Sequence, residues 1–469
     1  LLGALGSMRW CIVPTQTGHI GLSKPPKYVS ASLTMRWACR FFVFPNCFSL
    51  SFVLLMCKLR FTFLFLCLWL SLTMIAQRNR IFVPNIASLQ VVAGHNWLSM
   101  PVIDLADNVA VNIAFDDLTH EYRRYAYKIE HCNADWTTST ELFVSDYIDG
   151  FNADNVIERV QQSINTNVLY THYHLQLPND QCRIKMSGNY RVTIYDANEN
   201  DKAVAECCFM VVDQGMGIKL DLSGNTDKCI NSRWQQLDME VRFAPGMVVT
   251  DVQRQIRTVV MQNGRWDNAV VNAKPQFVMG DGLRWAHNAQ LIFEGGNEYR
   301  KFELLDVRHA NMGVEKINWD GKAYHAYLWP DEPRTSYVFD EDANGAFYIR
   351  NSDNSENNTT SEYVYVHFNL RSPRVEGDVF VNGVWTNDQL SAPYKMQYDD
   401  TQGCYRLTCL LKQGYYSYQY VWQQPNGNTA NLPSEGSFYQ TENRYQALVY
   451  YRKMGDRADR LVGFAEIRR

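Results

Sequence analysis

Residues 130–151 read EHCNADWTTSTELFVSDYIDGF, a stretch that sets a base, a thiol, an indole and several acids close together. His131 beside Cys132 is the pairing that can activate a cysteine nucleophile. Neighbours on an extended strand point to opposite faces, which works against direct proton transfer between them. A second candidate is YTHYHLQL, where His172 and His174 stand two apart and share one strand face, as the start of a metal site would. No third ligand is offered nearby. In DEDANG, Asp340, Asp342 and Asn344 alternate ahead of Gly345, like the first half of a calcium loop. The twelfth place of that loop holds Asn351 instead of the bidentate Glu, and a turn rich in Asp and Asn explains the same residues. Trp385, Tyr415, Tyr418, Tyr420 and Trp422 are an aromatic set able to stack on sugar rings or to pack a core. No nucleophile elbow, HExxH helix, glycine-rich phosphate loop or CxxC pair occurs after residue 76. The residues therefore recommend no catalytic, metal or cofactor site.

The elements that must position these groups are strands. VAVNIAF (109–115), YRVTIYD (190–196), YVYVHFNL (363–370) and YYSYQYVW (415–422) alternate apolar and polar residues, the pattern of strands with one buried face. Asn-Gly pairs at 263–264, 344–345, 382–383 and 426–427 and Asp-Gly pairs at 149–150, 281–282 and 320–321 punctuate them as turns. No long window has helical periodicity with caps. The fold class is all-β, in tandem immunoglobulin-like or early-set β-sandwich domains.

The charge distribution sets the boundaries. Residues 1–76 hold no Asp or Glu and seven of the 45 Lys and Arg, so the remainder carries 38 basic and 49 acidic side chains. An acidic body argues against non-specific nucleic-acid binding. Residues 56–76, MCKLRFTFLFLCLWLSLTMIA, have a short basic start, an apolar run and a small residue before Gln77, the order of a secretory signal peptide. Residues 1–55 read as a non-native upstream extension. Beyond them the reading is an N-terminal sandwich over 77–212, a middle sandwich over 213–370 and a C-terminal early-set-like sandwich over 371–469, with RSPRVEGD (371–378) as the last linker. DEDANGAFYIRNSDNSENNTTSE is expected as a hairpin tip and exposed loop. Seven of the 12 cysteines follow Ala76, an odd count that leaves room for one or two disulfides.

The block YKIEHCNADWTTSTELFVSDYIDGFNADNV resembles the hallmark of the type IX secretion plug protein family. The resemblance continues through YTHYHLQLPND, KMSGNYRVTIYD, DANGAFYIRN, EYVYVHFNL, GDVFVNGVW, LKQGYYSYQYVW, EGSFYQTENRYQALVYYR and GDRADRLVGF, from about residue 80 to 466. It implies a non-enzymatic periplasmic protein at the inner face of the outer membrane. There it would occlude the periplasmic opening of a giant β-barrel translocon, with no cofactor, metal or small-molecule substrate. Asn133, Asp135, Trp136, Asp146, Tyr147, Asp149 and Gly150 are the partner-binding candidates, with a role in fixing the first domain equally open. A secreted carbohydrate-binding protein is the alternative reading, resting on the aromatic last block. An uncharacterised hydrolase is the third.

Overall fold

Every strong period-two stretch is a strand in the computed structural model, which describes residues 79–469. The expected upstream extension (1–55) and signal peptide (56–76) lie outside the described residues. In Val111–Asp117 the inward side chains Val111, Ile113 and Phe115 have no exposed surface. The same alternation runs through Gly188–Asp196, Tyr363–Arg371 and Gly414–Gln423. Such strands bury one face, and two sheets that bury their faces against each other form a sandwich.

The first sandwich faces a six-stranded sheet, centred on Tyr125–Cys132, Gly188–Asp196 and Lys202–Val212, against a four-stranded one. The smaller sheet contains Ile86–Ala93, Val111–Asp117, Arg159–Gln162 and Thr171–Leu177. Their shared core draws on residues 86–211. The third sandwich joins Arg300–Leu304, Phe347–Ile349, Asp378–Asn382, Gly414–Gln423 and Thr429–Asn431 in one sheet. Its other sheet holds Val314–Trp319, Tyr324–Leu328, Tyr363–Arg371, Gln397–Asp399 and Cys404–Lys412.

The middle sandwich departs from the expected division. One of its sheets holds Met216–Ser223, Trp234–Phe243, Phe277–Met279, Gly282–Trp285 and Ile292–Glu294. The other pairs Ile256–Gln262 with Arg444–Tyr451, which continues to Arg460–Arg468. Residues 445–467 thus complete a core begun at Met216. The boundary at 370/371 does not hold, because RSPRVEGD connects two strands of one sandwich. The third sandwich is an insert in a loop of the middle one. Its two connections run side by side, with the Phe438 N–H donating to the Gly296 carbonyl at 2.8 Å and Asn297 Nδ2 to the Glu435 carbonyl at 2.9 Å.

Three further expectations differ. The polar stretch after Asp340 is not simply an exposed loop: Ala343, Asn344, Ala346 and Phe347 are buried and Phe347–Ile349 is a strand. No disulfide joins Cys132, Cys182, Cys207, Cys208, Cys229, Cys404 or Cys409. Gly383, in an Asn-Gly pair read as a turn, is extended and begins a short 3-10 turn, Val384–Thr386.

Candidate functional site

The hallmark stretch is a turn at the seam between the first and middle sandwiches. After strand Tyr125–Cys132 the chain folds back, with the Trp136 N–H donating to the Asn133 carbonyl at 2.9 Å and the Asn133 N–H to the Thr137 carbonyl at 2.8 Å. Asp135 Oδ1 fixes the return by accepting from Thr137 N (3.1 Å) and Thr137 Oγ1 (2.6 Å). Trp136 sits at φ +64°, a left-handed conformation that costs a bulky residue strain. Its surroundings hold it there. Arg191 Nη2 donates to its carbonyl at 2.7 Å, and its ring, 2% exposed, lies edge-on to Trp266 with centroids 5.7 Å apart.

Trp136 belongs to a separate apolar cluster outside both sandwich cores. The first sandwich contributes Cys132, Trp136, Cys208, Met210 and Val212, and the middle one Val259, Met261, Leu448, Tyr450 and Leu461. The strands involved are buried on both faces. In Lys202–Val212, Cys207, Phe209 and Val211 enter the first core while Cys208, Met210 and Val212 enter the seam. A polar rim closes the seam. Asn133 Oδ1 accepts from Arg452 Nη2 at 2.7 Å, and Asp459 Oδ2 accepts from Ala134 N at 3.0 Å. Asp459 Oδ1 in turn accepts from Arg452 Nε at 2.8 Å. Asn189 bridges the two halves, donating to the Asn133 carbonyl (2.9 Å) and accepting from the Tyr450 hydroxyl (2.8 Å). Asp146 accepts from its own Phe143 N–H (2.8 Å) and from Arg457 Nη2 of the middle sandwich (2.7 Å).

The seven candidates divide accordingly. Asn133, Trp136 and Asp146 join two sandwiches. Tyr147 is buried beside His131 and Tyr190 in the first. Gly150, at φ +109°, sits where a Cβ would run into the Gln181 carbonyl. Asp135 and Asp149 point outward.

The chemical alternatives fall away on geometry. His131 is buried between Ser139 Oγ (2.9 Å from Nδ1) and the Ser187 carbonyl (3.2 Å from Nε2), and burial drags its pKa down to about 4. Cys132 faces the seam instead, and burial pushes its thiol up to about 11, away from the reactive thiolate. His172 and His174 do share a face, but His172 Nδ1 meets Asp116 at 2.7 Å and His174 Nε2 meets Asn112 at 3.0 Å. Asp342 is occupied by the backbone N–H groups of Tyr299 and Asn344, and Lys301 Nζ binds Asp340 at 2.6 Å, so an ammonium stands where calcium would. Among the described residues no cluster of three or more His, Cys, Asp or Glu could hold a metal ion. The aromatic stripe is core: Tyr418 and Tyr420 are buried with both hydroxyls on Asp331 Oδ2 (2.8 and 2.6 Å), and Trp385 Nε1 donates to the Ser417 carbonyl at 3.0 Å. Tyr415 is half-buried and meets Trp97 of the first sandwich, with centroids 5.9 Å apart.

A second seam, between the first and third sandwiches, went unread in the sequence. Its centre is Asp116, which accepts from Lys412 Nζ (2.6 Å), the Tyr363 hydroxyl (2.7 Å) and His172 Nδ1 (2.7 Å). Both side chains of the Asp116–Lys412 pair are 1% exposed. The Lys412 ammonium and His172 hold the Asp116 carboxyl below its ordinary pKa against the upward pull of burial, and burial lowers the pKa of Lys412. Lys412 also lies over the Tyr170 ring at 4.0 Å, and Glu362 accepts from Asn167 N and Nδ2 and Val168 N. Asp116 follows a strand alternation that ends in two acids, "FDD"; that break was the available signal.

Beside the first seam the surface is apolar. Phe143 and Val144 are exposed, Phe143 at 72%, with the Arg457 guanidinium over its ring. Met454, in the same turn as Arg457, is 82% exposed, and Val248 is exposed where its carbonyl accepts from the Tyr451 hydroxyl. The hairpin Phe277–Met279/Gly282–Trp285 turns nearby, where the Phe243 N–H donates to the Asp281 carbonyl, and it exposes Phe277, Val278 and Met279. Exposed apolar residues supplied by several turns at one end mark an interaction surface more often than an ordinary solvated one.

The described residues form three β-sandwiches joined by two built seams, with exposed apolar side chains at one end. The family model described as "Type 9 secretion system plug protein 1st domain" matches residues 86–213. A solved structure, that of a hypothetical protein from Parabacteroides merdae ATCC 43184, is similar at 36% identity and a TM-score of 0.81, covering 84% of this chain and all of that one. No curated protein matches. The chain belongs to the type IX secretion system plug protein family.

Proposed function

We propose that the protein is a non-enzymatic component of type IX secretion that works in the periplasm as a plug, closing the periplasmic opening of the large outer-membrane β-barrel translocon. Family membership gives the secretion system, and that family is not one of enzymes. The observation that carries the mechanism is the pairing of two rigid seams with an exposed apolar end. Occlusion needs a body that does not deform and a face that sheds water on contact. Phe143, Val144, Val248, Val278 and Met454 are that face in this reading, and Asp135 and Asp149 are its polar rim. Binding must be weak enough for cargo to displace the plug. The carbohydrate reading loses its support, because its aromatic platform is core.

Affinity isolation from native outer membranes tests this. The wild-type protein should bring down a very large barrel. Phe143→Asp with Met454→Asp should keep its melting temperature and lose the barrel. Retention of the barrel by that variant would move the contact face elsewhere. Wild-type protein that isolates without any barrel would remove the plug reading.

A further inference from the structure

The open face of the third sandwich carries a wire of side chains that neither seam uses. Strand Tyr324–Leu328 runs parallel to Tyr363–Arg371, which pairs antiparallel with Cys404–Lys412. Ala326, Leu328, Val364, Val366, Phe368, Cys409 and Leu411 go to the core. The alternate residues His325, Tyr327, Tyr365, His367 and Thr408 therefore face out. Register sets His325 opposite Tyr365, and Tyr327 and Thr408 on either side of His367.

Three of these outer-face groups and Asp320 form one hydrogen-bonded chain. Asp320 Oδ2 lies 3.1 Å from His325 Nε2, His325 Nδ1 lies 2.9 Å from His367 Nε2, and His367 Nδ1 lies 2.9 Å from Thr408 Oγ1. With both imidazoles neutral, the carboxylate accepts from His325 Nε2–H and leaves His325 Nδ1 a lone pair. That lone pair accepts from His367 Nε2–H, and His367 Nδ1 accepts from the Thr408 hydroxyl. Tyr327 stacks on His367 with centroids 4.3 Å apart and Tyr365 on His325 at 5.1 Å, so each imidazole lies against one tyrosine ring.

We propose that the His325–His367 pair is a binding site for a divalent transition-metal ion of the Cu(II) or Ni(II) class. Two nitrogens bound to one ion at about 2.0–2.1 Å and at right angles stand about 2.9 Å apart, the separation already present here. A right angle is the requirement of tetragonal Cu(II) and Ni(II) and departs from the wider tetrahedral angle of zinc. A turn of each ring brings both nitrogens onto an ion beside the N–N line, and the His367 proton moves from Nε2 to Nδ1 as the ion enters, where Thr408 Oγ1 accepts it, so both ligands stay neutral imidazoles. Asp320, holding the far N–H of His325, is the carboxylate that orients a metal-binding imidazole. Water fills the remaining positions, since no third protein ligand converges there.

The test titrates the untagged protein with CuCl2 and, separately, NiCl2, followed by calorimetry and by electron paramagnetic resonance for copper. One equivalent should bind with a two-imidazole nitrogen signature, and binding should weaken as pH falls. Losing an orienting partner costs about 10–100-fold in affinity, so Asp320→Asn should fall in that range and His325→Gln or His367→Gln beyond it. His287→Gln and His309→Gln, at exposed histidines elsewhere, should change nothing. In wild-type protein labelled only at histidine, copper should broaden the His325 and His367 ring signals before any others. A site that survives the His325→Gln/His367→Gln double change, or copper that broadens other histidines first, would overturn the assignment.

Discussion

The two seams do the same mechanical work with opposite chemistry. The first–middle seam is an apolar layer of Cys132, Met210, Met261, Leu448 and Trp136, edged by a polar cluster of Asn133, Arg452 and the buried Asp459. The first–third seam has its charge at the centre, with Asp116 and Lys412 wholly enclosed. Apolar layers gain with area and tolerate imperfect fit. A buried ion pair gains little over an apolar pair of the same shape, but breaking it strands a charge. The first seam should therefore fail gradually under mutation, and the second should fail at once or not at all.

The largest effect is expected at Lys412. Lys412→Ala leaves Asp116 charged and enclosed, a loss of about 3–5 kcal/mol, readable as a fall in the denaturation midpoint. Adding Asp116→Leu to Lys412→Met should restore most of it; a double variant as unstable as the single would show the seam depends on the charges themselves. The acid response follows from the same pair. Asp116 has a depressed pKa in the folded state, so its contribution is complete above the unfolded carboxylate value and lost as pH falls below about 4. The uncharged double variant should lack that acid loss in a pH series of melting curves.

Trp136→Ala comes next. Removing a buried indole costs about 3–5 kcal/mol, offset in part by relief of the left-handed strain. Trp136→Phe should cost less, and a graded series measured by chemical denaturation is the signature of an apolar seam. Tyr450→Phe removes one bond and leaves Asn189 Oδ1 without its donor, about 1–3 kcal/mol. Arg457→Ala sits at the bottom of the scale, because its pair with Asp146 is partly solvated; about 0–1 kcal/mol is expected. A large Arg457 effect would mean the rim, and not the layer, holds the first seam.

The strands were legible because each is a local pattern. So was double-sided burial in principle: CCFMVV and QALVYY lack the polar alternation of their neighbours, and both turned out to serve a core and a seam. The hallmark motif was legible as unusual but not as a joint, because Asn133 and Asp146 acquire their partners from Arg452, Asp459 and Arg457, more than 300 positions away. The division at 371 misled for the same reason. Pro373 and Gly377 mark a connection, and nothing local tells a connection between strands from one between domains. The Asp116 cluster was hidden because its cation comes from another sandwich, while in sequence Asp116 is one more acid at a strand end.

The inserted third sandwich also fixes an order of assembly. As the chain is made, Ile256–Gln262 appears long before its partner Arg444–Tyr451. Until residues 298–436 have followed, half of the middle sandwich waits with an apolar face uncovered, a state that invites aggregation. The insert has a core of its own, Phe302 to Leu432, and its adjacent connections set residues 443–444 beside Asn263, shortening the loop the late strands must close. The third sandwich thus acts as an internal splint for the second, and a chain stopped after Gly436 would carry a finished insert on an unfinished host.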